Sequence, residues 1–241
     1  MTVVEPVRES AGSKHSQTLS RGIRALEILA EAQAPMSIAE LSSALGVHRS
    51  IAYRILRTLE DHSLLMRTEA GLVQAGPGLA ALARGVSRDL QTAALPELTE
   101  VANTLQMTAF IAEWDRHDCV TLMTVEPRHS ETTLAQRPGT RHQFSAGAPG
   151  IAIQSALSEE QWNRIAPGLP YRAEAKEAGR RGYAVSHDEV IAGVSSVAVP
   201  ITVPGQLPAA IAVIYISGTR ETAPIAERLV RSAGEIVVQL R

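Results

Sequence analysis

Three arginines, Arg49, Arg54 and Arg57, and the hydroxyls of Ser50 and Tyr53 fall in one short run, "VHRSIAYRILRTLEDHS", over residues 47–63. Placed at about 100° per residue, these five and Thr58 fill one half of a helical wheel. Ile51, Ala52, Ile55, Leu56 and Leu59 fill the other. One face packs on a core and the other is wet and rich in donors. Guanidinium groups on such a face pair with phosphates and with the acceptor edge of guanine. The chemistry this predicts is nucleic-acid recognition. An ordinary solvated helix face has the same split, so the flanking elements decide between the two.

The preceding "SIAELSSALG", residues 37–46, reads as a short helix. Ser37 and Glu40 have capping-box spacing, and Gly46 suits a left-handed helix end. A short helix, a tight glycine turn and a longer helix give the order of a helix-turn-helix. Its second helix is the one that enters a major groove. "SLLMRTEAGLVQAG" then reads as two strands around Glu69, Ala70 and Gly71, a wing carrying Arg67. Upstream, "LSRGIRALEILAEA", residues 19–32, is a further amphipathic helix. The candidate DNA-contacting set is Ser37, His48, Arg49, Ser50, Tyr53, Arg54, Arg57 and Arg67. Arg49 and Arg54 are the expected base readers, Ser50 and Tyr53 their support, and Arg57 and Arg67 the phosphate clamps.

With 23 Lys and Arg against 25 Asp and Glu, the 241-residue chain has a net charge of −2, so DNA affinity must come from a local patch. A single cysteine, Cys119, excludes an internal disulfide and fits a reducing, cytoplasmic setting. No apolar run approaches the roughly 20 residues of a membrane span. Residues 1–16 read as a mobile polar tail.

Four segments are expected: the tail at 1–16, a winged helix-turn-helix over 17–77, a linker helix over 78–94, and a second domain over 95–241. Pro96 is placed at the start of a separate helix. Beyond it, "MTAFIAEWDRHDCVTLMTVEP" gives two strands about a turn at residues 115–118, "ETTLAQ" from Glu131 another, and "SAGAPG" leads into a helix. Strands paired through the turn at residues 205–208 and a closing amphipathic helix complete an α+β domain on an antiparallel sheet.

The strings "LSRGIRALEIL", "SIAELSSALGVHRSIAYRILRTLE", "RRGYAV", "GVSSVAVPI" and "IAVIYISG" resemble the isocitrate-lyase-regulator (IclR) family of bacterial transcriptional regulators, from about Gln17 onward. The resemblance implies a homodimer or homotetramer that binds a double-stranded promoter operator. It also implies a C-terminal GAF-like domain that binds a small-molecule effector; the residues themselves lead to no expectation of a cofactor, a membrane partner or catalytic activity. Two departures stand out. The wing reads "GLVQAG" without a basic residue, and Gly150-Ile151 replaces a glycine-lysine pair. By resemblance, Ser196, Tyr215 and Ser217 match effector-contacting positions, and Ser186, a fourth candidate, stands where the family often has an acidic residue. Gly147, Ala148 and Gly150 form a glycine-rich loop at a helix start, which favours an anion. The effector expected is a small organic carboxylate, more plausibly aromatic, which Trp114 and Trp162 could wall.

Rival functions are weaker. His117, Asp118 and Cys119, or His187 and Asp188, supply too few ligands for a zinc site, so a metal-binding sensor is a minor alternative. No nucleophile or phosphate-loop motif suggests an enzyme. The remaining alternative is a winged helix that serves only as a protein-interaction module.

Overall fold

The computed structural model describes residues 16–128, 134–218 and 220–241. The tail expected over 1–16 lies outside them apart from Ser16. The chain divides into two compact units, the first ending at Val86 and the second beginning at Ser87.

In the first unit, α1 (Gln17–Glu31), α2 (Ile38–Ala44) and α3 (Arg49–Asp61) are followed by strands β1 (Leu65–Arg67) and β2 (Val73–Ala75). The strands pair antiparallel, with Leu65 opposite Ala75 and Arg67 opposite Val73. Ala25, Leu29, Leu41, Leu56, Leu65 and Val73 bury a common core. The expected capping box is present at α2: the Glu40 N–H donates to Ser37 Oγ at 3.2 Å, and the Ser37 N–H donates to Glu40 Oε2 at 2.7 Å. That second bond holds the Glu40 carboxyl below its ordinary pKa. Removing the first, in Ser37→Ala, is expected to cost about 1 kcal/mol of unfolding free energy. Urea titration of wild type and variant checks this, and a loss under about 0.3 kcal/mol would show that the cap is dispensable.

The helices between wing and sheet differ from expectation. In place of one linker helix over 78–94, α4 (Gly78–Ala83) is short and α5 (Arg88–Leu105) runs straight through Pro96. The break comes at Ser87, which takes a left-handed backbone conformation. Proline in a helix interior normally costs a hydrogen bond and a steric clash. Here Leu90, Ala93, Ala94, Leu98 and Val101 bury one continuous stripe that spans the proline. A domain begun at residue 95 would leave Leu90, Ala93 and Ala94 out of that core.

The second unit is a six-stranded antiparallel sheet in the order β5-β4-β3-β8-β7-β6. Its strands are β3 (Thr108–Trp114), β4 (Asp118–Val125), β5 (Arg141–Gln143), β6 (Ala184–His187), β7 (Val194–Ile201) and β8 (Ala209–Ile216). The strand expected from Glu131 falls partly outside the described residues; β5 lies downstream of it. On one face α5 and α9 (Thr222–Gln239) pack against Ile111, Val197, Ile211, Val213 and Tyr215. The Arg228 guanidinium, from α9, lies 2.9 Å from Glu100 and 3.6 Å from Glu97, both on α5. The opposite face carries α6 (Ala148–Ser155), α7 (Glu159–Ile165) and α8 (Ala173–Arg181) over Phe110, Ala112, Ala198, Ala210 and Ala212. This is the α+β architecture read from the sequence, helices on an antiparallel sheet.

Candidate functional site

Helix α3 presents the expected polar face. Ala52, Ile55 and Leu56 are buried, whereas Arg49, Ser50, Tyr53, Arg54 and Arg57 are exposed. The guanidinium groups of Arg49, Arg54 and Arg57 make no hydrogen bond or ion pair within the described residues, so their donors are free. His48 is the N-cap of α3. Its Nδ1 accepts from the Ser50 N–H at 3.3 Å and lies 2.8 Å from Ser50 Oγ. His48 and Ser50 thereby fix the start of the helix, where base-contacting residues of a recognition helix lie.

Arg67 is a different case. Its Nε–H is held by both Glu60 carboxylate oxygens, at 3.1 and 3.0 Å, and its guanidinium carbon stands 5.8 Å from the centre of the Tyr53 ring. The residue expected as a free phosphate clamp instead ties the wing to α3. Only its Nη groups remain to donate.

The second unit contains a small, partly open cleft between the sheet, the start of α6 and the segment 188–193. Phe110, Ile214, Val194 and Ile191 give it an apolar body, and Gln136, His142, Ser186 and Ser196 its polar edge. Ser186 and Ser196 both line the cleft, and they stand opposite each other on β6 and β7.

Tyr215 and Ser217 do not reach it. Ser196 pairs with Ile214, which makes Ile214 the β8 residue on the cleft face. The alternation of a strand then turns Tyr215 to the other side. There it is buried against α5 and α9, and burial pushes its phenol above the ordinary pKa. Ser217 Oγ follows it, 2.7 Å from Ser195 Oγ, which in turn lies 2.9 Å from His187 Nδ1.

The glycine-rich loop is also occupied from within. The Gly147 N–H donates to Glu189 Oε2 at 2.9 Å and the Ala148 N–H donates to Ser186 Oγ at 3.0 Å. Glu189 is itself paired with Arg172 at 3.3 Å. A carboxylate of the protein thus already sits where an anionic ligand was expected. Gly150 serves packing: a Cβ there would stand 2.2 Å from the Phe144 carbonyl oxygen. Gly147 and Ala148 still shape the cleft, since Gly147 lines it and holds a left-handed backbone, φ 88°.

Trp114 and Trp162 stack with Phe144, ring centres 4.8 to 5.3 Å apart, inside the core beneath α6 and α7. Neither lines the cleft. Cys119 is fully buried beside them, and burial raises its thiol well above the usual range, so it stays neutral. His117 lies exposed in the turn before β4 rather than alongside Cys119 on the strand. Among the described residues no group of three or more His, Cys, Asp or Glu side chains could hold a metal ion.

One cleft residue carried no signal in the sequence. His142 sits on the edge strand β5, and its Nε2 is buried without a hydrogen-bond partner. The only hint available was a histidine five residues before a glycine-rich turn.

Residues 18–69 match the family model of the IclR helix-turn-helix domain. A probable transcriptional regulator, SauR, of Cupriavidus necator is 27% identical over 221 residues, spanning 78% of this chain and 82% of its own. The HTH-type transcriptional regulator XynR of Escherichia coli is 25% identical over 202 residues, spanning 77% and 80%. Among solved structures, an IclR homologue from Microbacterium hydrocarbonoxydans complexed with 4-hydroxybenzoate superposes with a TM-score of 0.80. It is 22% identical, with 93% of this chain and 99% of that one covered. An IclR transcriptional regulator from Alicyclobacillus acidocaldarius gives a TM-score of 0.78 at 23% identity, covering 93% and 99%.

Proposed function

Because the chain belongs to the IclR family of transcriptional regulators, we propose that it binds a promoter operator through α3 and that a small aromatic carboxylate in the cleft of the second unit sets its affinity. The observation that carries this reading is the solvent face of α3, with three arginines whose donors are free. Arg49 and Arg54 read bases, Ser50 and Tyr53 support them, and Arg57 holds phosphate. His48 and Ser37 orient the two helices through their caps. The Ser37 hydroxyl accepts in its cap and retains a proton to donate to the DNA backbone.

The aromatic effector is supported by the apolar cleft and by the 4-hydroxybenzoate held by the Microbacterium homologue. We place the protein in the cytoplasm as a homodimer or homotetramer, which sets two α3 helices about 34 Å apart in successive major grooves. Among the described residues no helix is long and apolar enough to cross a membrane. The effector acts by binding more tightly to one arrangement of the two recognition helices than to another.

Fluorescence anisotropy on the intergenic DNA beside its own gene tests this. Affinity should fall by about 10³-fold or more between roughly 50 and 200 mM salt if six or more phosphates are neutralised. Millimolar 4-hydroxybenzoate should shift the operator midpoint. Equal affinity for operator and random DNA, with little salt dependence, would leave a protein-interaction module as the better reading.

A further inference from the structure

The cleft is apolar with a narrow polar edge, and His142 is its one ionisable lining residue among those described. Among the described residues no lysine or arginine reaches the lining to neutralise an acid. The nearest charges are already paired with one another. Asp118 and the neutral Cys119 face His142 from the adjoining β4, on which Cys119 is its register partner. Glu189 approaches from the segment 188–193 through its bond to the Gly147 N–H, and Arg172, ahead of α8, pairs with it at 3.3 Å. Arg141, next to His142 on β5, is drawn away to Asp115 and Asp118.

The His142 ring lies 3.4 Å from where a Cβ on Gly147 would stand, at the junction of cleft and loop. Its Nε2 is buried and unpartnered, a condition that native structures seldom leave without a role. Beside that junction, Ser186 Oγ accepts from the Ala148 N–H and keeps its own proton to donate. Two polar groups therefore converge at one end of an apolar slot.

We propose that the cleft takes up a weak organic acid together with one proton, with His142 Nε2 carrying that proton to the ligand carboxylate and Ser186 Oγ donating to its second oxygen. This rests on the cleft being the effector site. Burial keeps the free imidazole below its ordinary pKa, so it is neutral near pH 7. A bare carboxylate entering this slot would be a buried charge with no cation in the described lining to pair with it. Proton uptake from solvent by Nε2 converts it into an ion pair of zero net charge and raises the pKa of His142 in the complex. The sign follows. Below the pKa of free His142 the ring is already charged and acid affinity is flat. Between it and the raised pKa of the complex, affinity falls by about tenfold per unit as pH rises. A neutral amide of the same shape takes up no proton and binds independently of pH.

Calorimetry on the full chain with 4-hydroxybenzoate and 4-hydroxybenzamide, in two buffers of different ionisation heat between about pH 6 and 8, counts the protons directly. Near one proton per acid bound at the alkaline end is expected, with none for the amide. His142→Gln should abolish the proton uptake and the pH slope for the acid, weaken the acid at least tenfold, and leave the amide within about twofold. The proton count on wild type needs no variant, so a misfolded His142→Gln leaves the test intact. Acid binding without proton uptake, or uptake that persists in His142→Gln, overturns the assignment of His142 while the cleft remains the effector site. Failure of both acid and amide to bind wild type at any of these pH values overturns both.

Discussion

Replacing Gly150 by alanine is expected to destabilise the second unit by about 3 kcal/mol, at the upper end of what an inserted methyl costs a packed core. The added Cβ would meet the Phe144 carbonyl oxygen at 2.2 Å and its carbon at 3.2 Å. Both are backbone atoms and cannot swing aside like the end of a side chain. Relief requires β5 and its following turn to move away from α6, and Phe144 is part of the aromatic stack with Trp114 and Trp162. Gly168→Ala is the control, because nothing lies within 4 Å of its Cβ position and its backbone is unstrained. Thermal denaturation without any ligand separates the two. A Gly150→Ala variant as stable as wild type, but unable to bind an acid, would return Gly150 to the ligand site. A loss of stability at Gly150 with none at Gly168 identifies it as a packing glycine.

That contrast marks where the sequence is informative and where it is silent. The first unit was legible because its signals are local. Ser37 and Glu40 are three residues apart, Gly46 ends its helix in the left-handed region at φ 64°, and the sorting of α3 lies within one helix. Pro96 was misread for the same reason: a local rule put a helix start there, and burial of residues on both sides of it overrode the rule. The second unit depends on contacts distant in sequence. Whether Tyr215 shares a face with Ser196 is set by the register of β8 on β7, which a one-residue shift in the intervening turn would reverse. The Gly147 N–H looked free because its acceptor, Glu189, lies 42 residues along the chain. His142 was invisible because what distinguishes it is a missing partner, and only packing reveals that.

The second large effect concerns DNA. Arg49→Ala is expected to weaken operator binding by about 1–3 kcal/mol, roughly 5- to 150-fold, if it makes one bidentate contact to guanine. Binding to random DNA should change far less. Arg49 is the first residue of α3, next to the His48 cap, and its guanidinium has no partner within the described residues to hold it back. Truncating it therefore disturbs no internal bond, so the loss reports on DNA rather than on folding. Arg57→Ala should behave differently, eight residues further along the helix. It should weaken operator and random DNA by the same factor and reduce the slope of log affinity against log salt by about 1. Arg67→Ala breaks the pair with Glu60 and loosens the wing, so part of its effect should appear in the stability of the first unit even without DNA. A partly exposed ion pair of this kind contributes at most about 1 kcal/mol. Anisotropy titrations of the three variants on operator and random duplexes at two salt concentrations distinguish these roles. If Arg49→Ala loses as much on random DNA as on the operator, Arg49 holds phosphate, and base reading passes to Arg54 one turn further into the helix.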